Sequence, residues 1–221
     1  MKDISSNIIS LKSRLPENVK IVAVSKTRPV SEILLLYNTG HRLFGENRVQ
    51  ELLKKKDMLP EDIRWHLIGH LQSNKVRYIA NFIDTIESVD SLRLLELINA
   101  EASKANRIVN CLLQIHIAQE EAKFGFTPDE INAMLITEDI RLMHNVSILG
   151  VMGMATLTDD METVRKEFRY LADCFRELRN KYFQDYQPFS EISMGMSGDY
   201  EIAVEEGATI VRIGSLIFGE R

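Results

Sequence analysis

Residues 19–27 read VKIVAVSKT: one isoleucine and three valines in a short run, apolar at odd and even positions alike, then a lysine. Such a run marks a strand covered on both faces, as in a parallel sheet backed by helices. Lys26 falls where that strand stops, and α/β folds place their chemistry at the C-terminal ends of strands. A charged lysine there binds anions; a neutral one, desolvated or set among cations, condenses with carbonyls to a Schiff base. A lysine pointing into solvent fits this stretch equally well.

Outward from that strand the chain keeps alternating. Ile4, Ile8, Leu11 and Leu15 recur at helical spacing, so an amphipathic helix precedes the strand and Pro16 ends it. After Lys26, Ser31 reads as the N-cap of a helix over 33–37 that Gly40 closes. Residues 41–46 form a second strand running into Asn47, and 64–68 (RWHLI) a third, followed by a polar turn and a helix through Val76 and Ile79. A weaker fourth strand covers 83–88, and Asp90 reads as the cap of a helix bearing Leu92, Leu95, Ile98 and Ala102. The fifth covers 111–117. Thr127-Pro128-Asp129-Glu130 then supplies an N-cap, a proline at the first helical position and a glutamate at the third, a firm helix start.

Residues 147–152 make a sixth strand, and Val164, Phe168, Leu171, Phe175 and Leu178 stripe the longest helix. A seventh strand covers 189–194, Ser197-Gly198-Asp199 opens a short helix to Glu206, and 210–213 is the eighth. Eight strand–helix alternations require parallel strands with right-handed crossovers, which close naturally into a (β/α)8 TIM barrel, here with an extra N-terminal helix. An open doubly wound sheet is the alternative. The expected organisation is a single domain, residues 1–221.

Composition narrows the function. With 221 residues, 45% of them hydrophobic, the chain can bury one substantial core. A net charge of -5 argues against nucleic acid or an anionic membrane as partner, because both need clustered cations. The longest basic run, Lys54-Lys55-Lys56, reads as the solvated face of a helix. Cys111 and Cys174 stand apart without a CxxC or Cys/His pattern, so neither a disulfide framework nor a metal site is expected. No leader-like apolar segment opens the chain, and no apolar run approaches the ~18 residues of a membrane span. A soluble cytoplasmic protein is expected.

In a barrel every strand's C-terminal end opens onto one face, so Lys26, Asn47, His66, residues 193–197 and residues 212–215 converge on one pocket. The loops after the seventh and eighth strands of barrels often bind phosphate through backbone N–H groups and a short helix. Here MGMSGD and RIGS supply glycines and hydroxyls in those places; ordinary turn chemistry uses the same residues. Arg212, inside an apolar strand, needs a partner if buried: Glu46 is one possibility, and a ligand acceptor is another. His66 is expected to line the pocket and His70 to sit in a turn, since Gly69 between them spoils a helical metal pair. Met152, Met154, Met194 and Met196 read as adaptable apolar lining.

The segments VAVSKT, FGENRVQE, WHLIGHLQSNK, EEAKFGF, GVMGMAT, SMGMSGD and VRIGSLIFGER together resemble the pyridoxal 5'-phosphate (PLP) homeostasis protein family, which is similar to the N-terminal barrel domain of alanine racemase. The resemblance implies PLP as cofactor, held as a Schiff base on Lys26. Ser197, Gly214 and Ser215 would hold its phosphate, Arg212 would face the pyridine nitrogen, and Asn47, Ser193, Met194 and Gly195 would line the ring. An arginine donates to an unprotonated ring nitrogen and weakens the electron sink that carbanion chemistry needs. Racemases of this fold add a tyrosine from a further β-domain, and this chain ends at Arg221, soon after the last strand. The implied role is therefore PLP storage or delivery, with PLP-dependent apoenzymes as possible partners and a monomer as the expected state, rather than catalysis.

The sequence departs from the family pattern after the fifth strand. His116 and Ala118-Gln119 stand where the family carries an asparagine and a serine, while Lys123, a second lysine of interest, and Gly125 match. Ser215 stands where threonine is common. A weak PLP-dependent amino-acid racemase is the second reading, and a Schiff-base aldolase acting on a phosphorylated sugar the third.

Overall fold

The computed structural model describes residues 3–118, 124–137, 140 and 142–220. Among them eight parallel strands close in chain order into a barrel: β1 (Lys20–Val24), β2 (Leu43–Glu46), β3 (Arg64–Leu67), β4 (Thr85–Val89), β5 (Val109–Gln114), β6 (Val146–Met152), β7 (Glu191–Ser193) and β8 (Ile210–Ile213). β1 meets β8 with Lys20 opposite Ile210 and Val22 opposite Arg212, so the first and last strands are neighbours. The helices outside the barrel include α1 (Ile4–Arg14), α2 (Val30–Tyr37), α3 (Val49–Lys56), α4 (Leu92–Lys104), α5 (Pro128–Leu135) and α6 (Met161–Tyr182). Two short helices, α7 (Tyr200–Glu205) and α8 (Ser215–Phe218), follow β7 and β8.

Strand side chains alternate, and the two faces bury different things. Val22, Val24, Leu112, Met152 and Ile210 pack together inside the barrel, while Ile21, Ala23, Phe44, Trp65, Leu67, Val211 and Ile213 belong to the larger core under the helices. α1 buries Ile4, Ile8 and Leu11 in that outer core, each contributing about 1.5–3 kcal/mol. Asn7 Nδ2 also donates to Ile217 O at 3.0 Å, which ties α1 to α8.

Helix starts depart from the sequence reading in two places. α2 begins at Val30 with extended Pro29 before it, so Ser31 already lies in the first turn and cannot cap. α4 is capped by Ser91, whose side chain accepts from Leu94 N, while Asp90 accepts from His70 Nδ1 at 3.0 Å. The helix expected through Val76 and Ile79 is a 3-10 turn, Ser73–Tyr78, anchored by buried Val76. α8 was not anticipated, because SLIF continues the apolar run of β8. The capping box at Thr127 is present as expected, with Thr127 and Glu130 exchanging bonds at the start of α5.

The triplet 54–56 is not a wholly solvated face. Lys55 is 6% exposed and is held in the wall between α3 and the barrel. Its Nζ donates to Ser25 O, Glu46 Oε1 and Glu51 Oε1 at 2.7, 2.8 and 2.6 Å. Glu46 is thereby engaged by Lys55 and Ser25, and it is not the partner of Arg212.

Candidate functional site

β1 stops at Val24, and period-2 alternation turns Val24 inward, Ser25 outward and Lys26 inward again. The chain then reverses in a tight turn, closed by Arg28 N–H donating to Ser25 O at 3.0 Å. At the far side of β8, Gly195 makes room for α7: with φ +89°, a Cβ there would stand 2.5 Å from that of Ala203. Close packing of α7 onto the end of β7 brings the 196–198 loop beside β8, where Gly214 N–H donates to Ser197 Oγ at 3.3 Å.

A cavity of about 400 Å³ opens at this end of the barrel. Lys26, Asn47, Ser197, Arg212, Gly214 and Ser215 line it, joined by Arg28, Gly198 and Glu220. Apolar surface comes from Val24, Ile68, Met154 and Met196. Its size and its few polar groups on an apolar wall suit a small-molecule ligand. The lining carries three cations, Lys26, Arg28 and Arg212, and one carboxylate, Glu220. Glu32, 3.6 Å from Arg28, and Glu87, 3.8 Å from Arg212, lie outside the lining, so the cavity surface itself favours an anion. Space for one exists at Gly198, where an added Cβ would meet nothing within 4 Å. The opening amides of a helix, like those of α7 and α8, have no intrahelical acceptor to turn to. An aldehyde carrying a phosphate arm fits this donor set: an amine on one side, amides and hydroxyls on the other.

Ser193, Met194 and Gly195 lie beneath the lining, fully or nearly buried. Ser193 serves there as a support: Arg212 Nη1 donates to its Oγ at 2.7 Å, and that hydroxyl donates to Glu87 Oε2 at 2.6 Å. Arg212 Nη2 donates to Gly153 O at 2.8 Å. Burial lowers the Arg212 pKa, and the charges of Glu87 and Asp199 oppose that fall. Burial would push Glu87 up, but bonding from His66, with the charges of His66 and Arg212, leaves it lowered. His66 therefore does not line the cavity: its ring is 4% exposed and donates from Nδ1 to Glu87 Oε1 at 2.6 Å.

Of the four methionines, Met154 and Met196 line the cavity, whereas Met152 and Met194 are buried. His70 is a turn residue, as expected, with its ring stacked on Phe124 at 3.8 Å. After β5, His116 Nε2 donates to Ala118 O, and Gly125, at φ +132°, packs against the backbone of His116. Lys123 and Gln119 lie outside the described residues. Arg28 and Glu220 escaped sequence reasoning. For Arg28 a signal existed, its place two residues after Lys26; for Glu220, next to the final residue, none did. Among the described residues no cluster of three metal-ligating side chains occurs, and no helix is long and apolar enough to cross a membrane.

This fold is that of an alanine racemase-type barrel: the family model "Alanine racemase, N-terminal domain" matches residues 1–221. The chain is 42% identical over 204 residues to the pyridoxal phosphate homeostasis protein of Aquifex aeolicus, covering 91% of this chain and 87% of that one. Among solved structures, PipY of Synechococcus elongatus PCC7942 with PLP bound superposes with a TM-score of 0.88 at 37% identity, covering 98% of this chain and 100% of PipY. Alanine racemase of Clostridium difficile 630 shares the fold, with a TM-score of 0.74 at 18% identity, and the match covers all of this chain and 56% of the racemase. The chain belongs to the pyridoxal phosphate homeostasis protein family.

Proposed function

We infer that this protein binds PLP in the barrel-mouth cavity and serves to hold and deliver it, without efficient catalysis. The observation that carries this reading is the joint presence of Lys26 and of Ser197, Gly214 and Ser215 around one cationic cavity. The name of the Aquifex relative and the PLP bound to PipY support it. Lys26 presents the amine that holds the aldehyde covalently, while Ser197, Gly214 and Ser215 bind the phosphate. Asn47 flanks the ring. Arg212 is the fixed donor for the ring nitrogen, supported from below by Ser193, with Met194 and Gly195 shaping the floor.

Bound PLP supplies an electron-withdrawing ring. Arg212 limits that property, because a guanidinium gives up no proton to the ring nitrogen. The protein is thus a carrier, one barrel domain over residues 1–221, acting in the cytoplasm as a monomer toward PLP-dependent apoenzymes. Weak racemase activity is the second reading, favoured only by the likeness to racemase barrels.

Borohydride reduction followed by mass spectrometry tests the reading. A pyridoxyl phosphate adduct on Lys26, absent from Lys26→Ala, is the expected result; an adduct elsewhere, or none, overturns it. Entry of solvent deuterium at the α position of alanine at a substantial rate would instead make the protein a racemase.

A further inference from the structure

Lys26 and Thr27 are the central residues of the turn that leaves β1, and Thr27 adopts φ +63°. A left-handed third position in such a turn is normally glycine or asparagine, and a β-branched residue there is strained. Something must hold it. Behind the barrel wall, Thr27 N–H donates to Glu51 Oε1 at 2.5 Å. The residue before Lys26 is held as well, because Ser25 Oγ donates to Glu46 Oε1 at 2.6 Å and Ser25 O accepts from Lys55 Nζ at 2.7 Å. Lys55 bridges the two carboxylates, and its three acceptors match the three donors of an ammonium. Both residues flanking Lys26 are thus tied to one cluster, buried at Glu46 and Lys55 and a quarter exposed at Glu51. Glu46 also immediately precedes Asn47, so the cluster anchors two walls of the cavity.

We propose that Lys55 is a positioning residue for the Lys26 amine, acting through Glu46 and Glu51 on the turn that carries it. It touches no ligand: Lys55 lies behind β1 and β2 and is absent from the cavity lining. An isolated buried ion cluster is weak evidence for a stability role, since apolar packing often replaces one without loss. Its link to a strained turn beside a nucleophile gives it another purpose, because small misplacements of a reacting group cost large factors in rate. The part concerning PLP rests on the function proposed above.

The test uses the full chain with Glu51→Ala, Glu51→Gln and Lys55→Met. Hydrogen exchange at the Thr27 amide, read without PLP, should quicken about tenfold or more in Glu51→Ala, because a bond to a charged acceptor is lost. Glu51→Gln keeps an acceptor and should recover most of the protection. With PLP, covalent trapping at Lys26 should slow roughly tenfold in Glu51→Ala and Lys55→Met, while affinity for pyridoxine 5'-phosphate, which has the ring and phosphate but no aldehyde, stays within about twofold. A merely structural role would weaken both together. Wild-type exchange at Thr27 and wild-type trapping rates in Glu51→Ala would overturn the proposal, and should Lys55→Met not fold, the two Glu51 variants decide. If the wild-type chain traps no PLP, the proposed function fails, and the exchange measurement still judges the turn.

Discussion

Arg212 and Glu87 reach each other through one hydroxyl: Ser193 accepts from the guanidinium and donates to the carboxylate, with Nη1 and Oε2 themselves 3.8 Å apart. Both charged groups are almost wholly buried. Removing Glu87 takes from Arg212 its main counter-charge in a low-dielectric interior, and removing Arg212 leaves Glu87 with His66 as its cationic partner. Arg212→Met should cost about 3–5 kcal/mol in urea unfolding, and the double variant Arg212→Met/Glu87→Gln should recover part of the loss. A double variant as unstable as the sum of the singles would show the pair to be uncoupled.

Ser197 should act on ligand affinity and little on the fold. It is half-buried at the cavity edge, where its hydroxyl accepts from Gly214 N–H. Ser197→Ala should weaken PLP binding by about fivefold, the equivalent of one hydrogen bond, with the melting temperature almost unchanged. Dialysis against PLP, with inorganic phosphate as competitor, measures it.

His41 sets an acid limit on stability. Burial is the main cause that drops its pKa from 6.5 to about 4, against a supporting bond from Nε2 to Leu43 O at 2.8 Å. The neutral ring is the folded form, while the unfolded chain takes up a proton near pH 6.5. Stability from this group is therefore full above about pH 6.5 and falls as the pH drops toward 4, by about 3 kcal/mol in all. His41→Gln should flatten that part of the pH–stability curve in denaturant titrations.

Gly150 should tolerate no side chain. It lies in β6 at φ +154°, opposite Glu191 of β7, and an added Cβ would stand 1.8 Å from Glu191 O. Gly150→Ala must push the two strands apart, so a loss of at least about 3 kcal/mol, or failure to accumulate folded protein, is expected.

Much of the architecture was legible because it rests on local pattern. The apolar run of β1, the heptad-like stripe of α6 and the Thr127 capping box each carry their own signal. β4 read as weak for a reason the barrel explains: Thr85 and Glu87 point into the interior, where a polar network awaits them, so inward positions look outward in one dimension. Lys55 misled in the same way. A buried lysine is spelled like an exposed one, and only its three acceptors, supplied by the turn after β1, by β2 and by α3, distinguish the two. The cavity lining was legible at Lys26, Ser197 and Gly214, since strand-end position fixes it. The layer below could not be read, because whether Ser193 faces a ligand or an arginine depends on the depth of β7.

The pairing of β1 with β8 makes the cavity a seam between the first and last strands of the barrel. Lys26 follows the first strand and Gly214 the eighth, so no fragment lacking the eighth strand owns the whole cavity lining. A ligand spanning that seam acts as a latch on ring closure. A ligand bound only by the closed barrel stabilises it by RT ln(1 + L/Kd), where L is the free ligand concentration, so ligand concentration and resistance to unfolding rise and fall together.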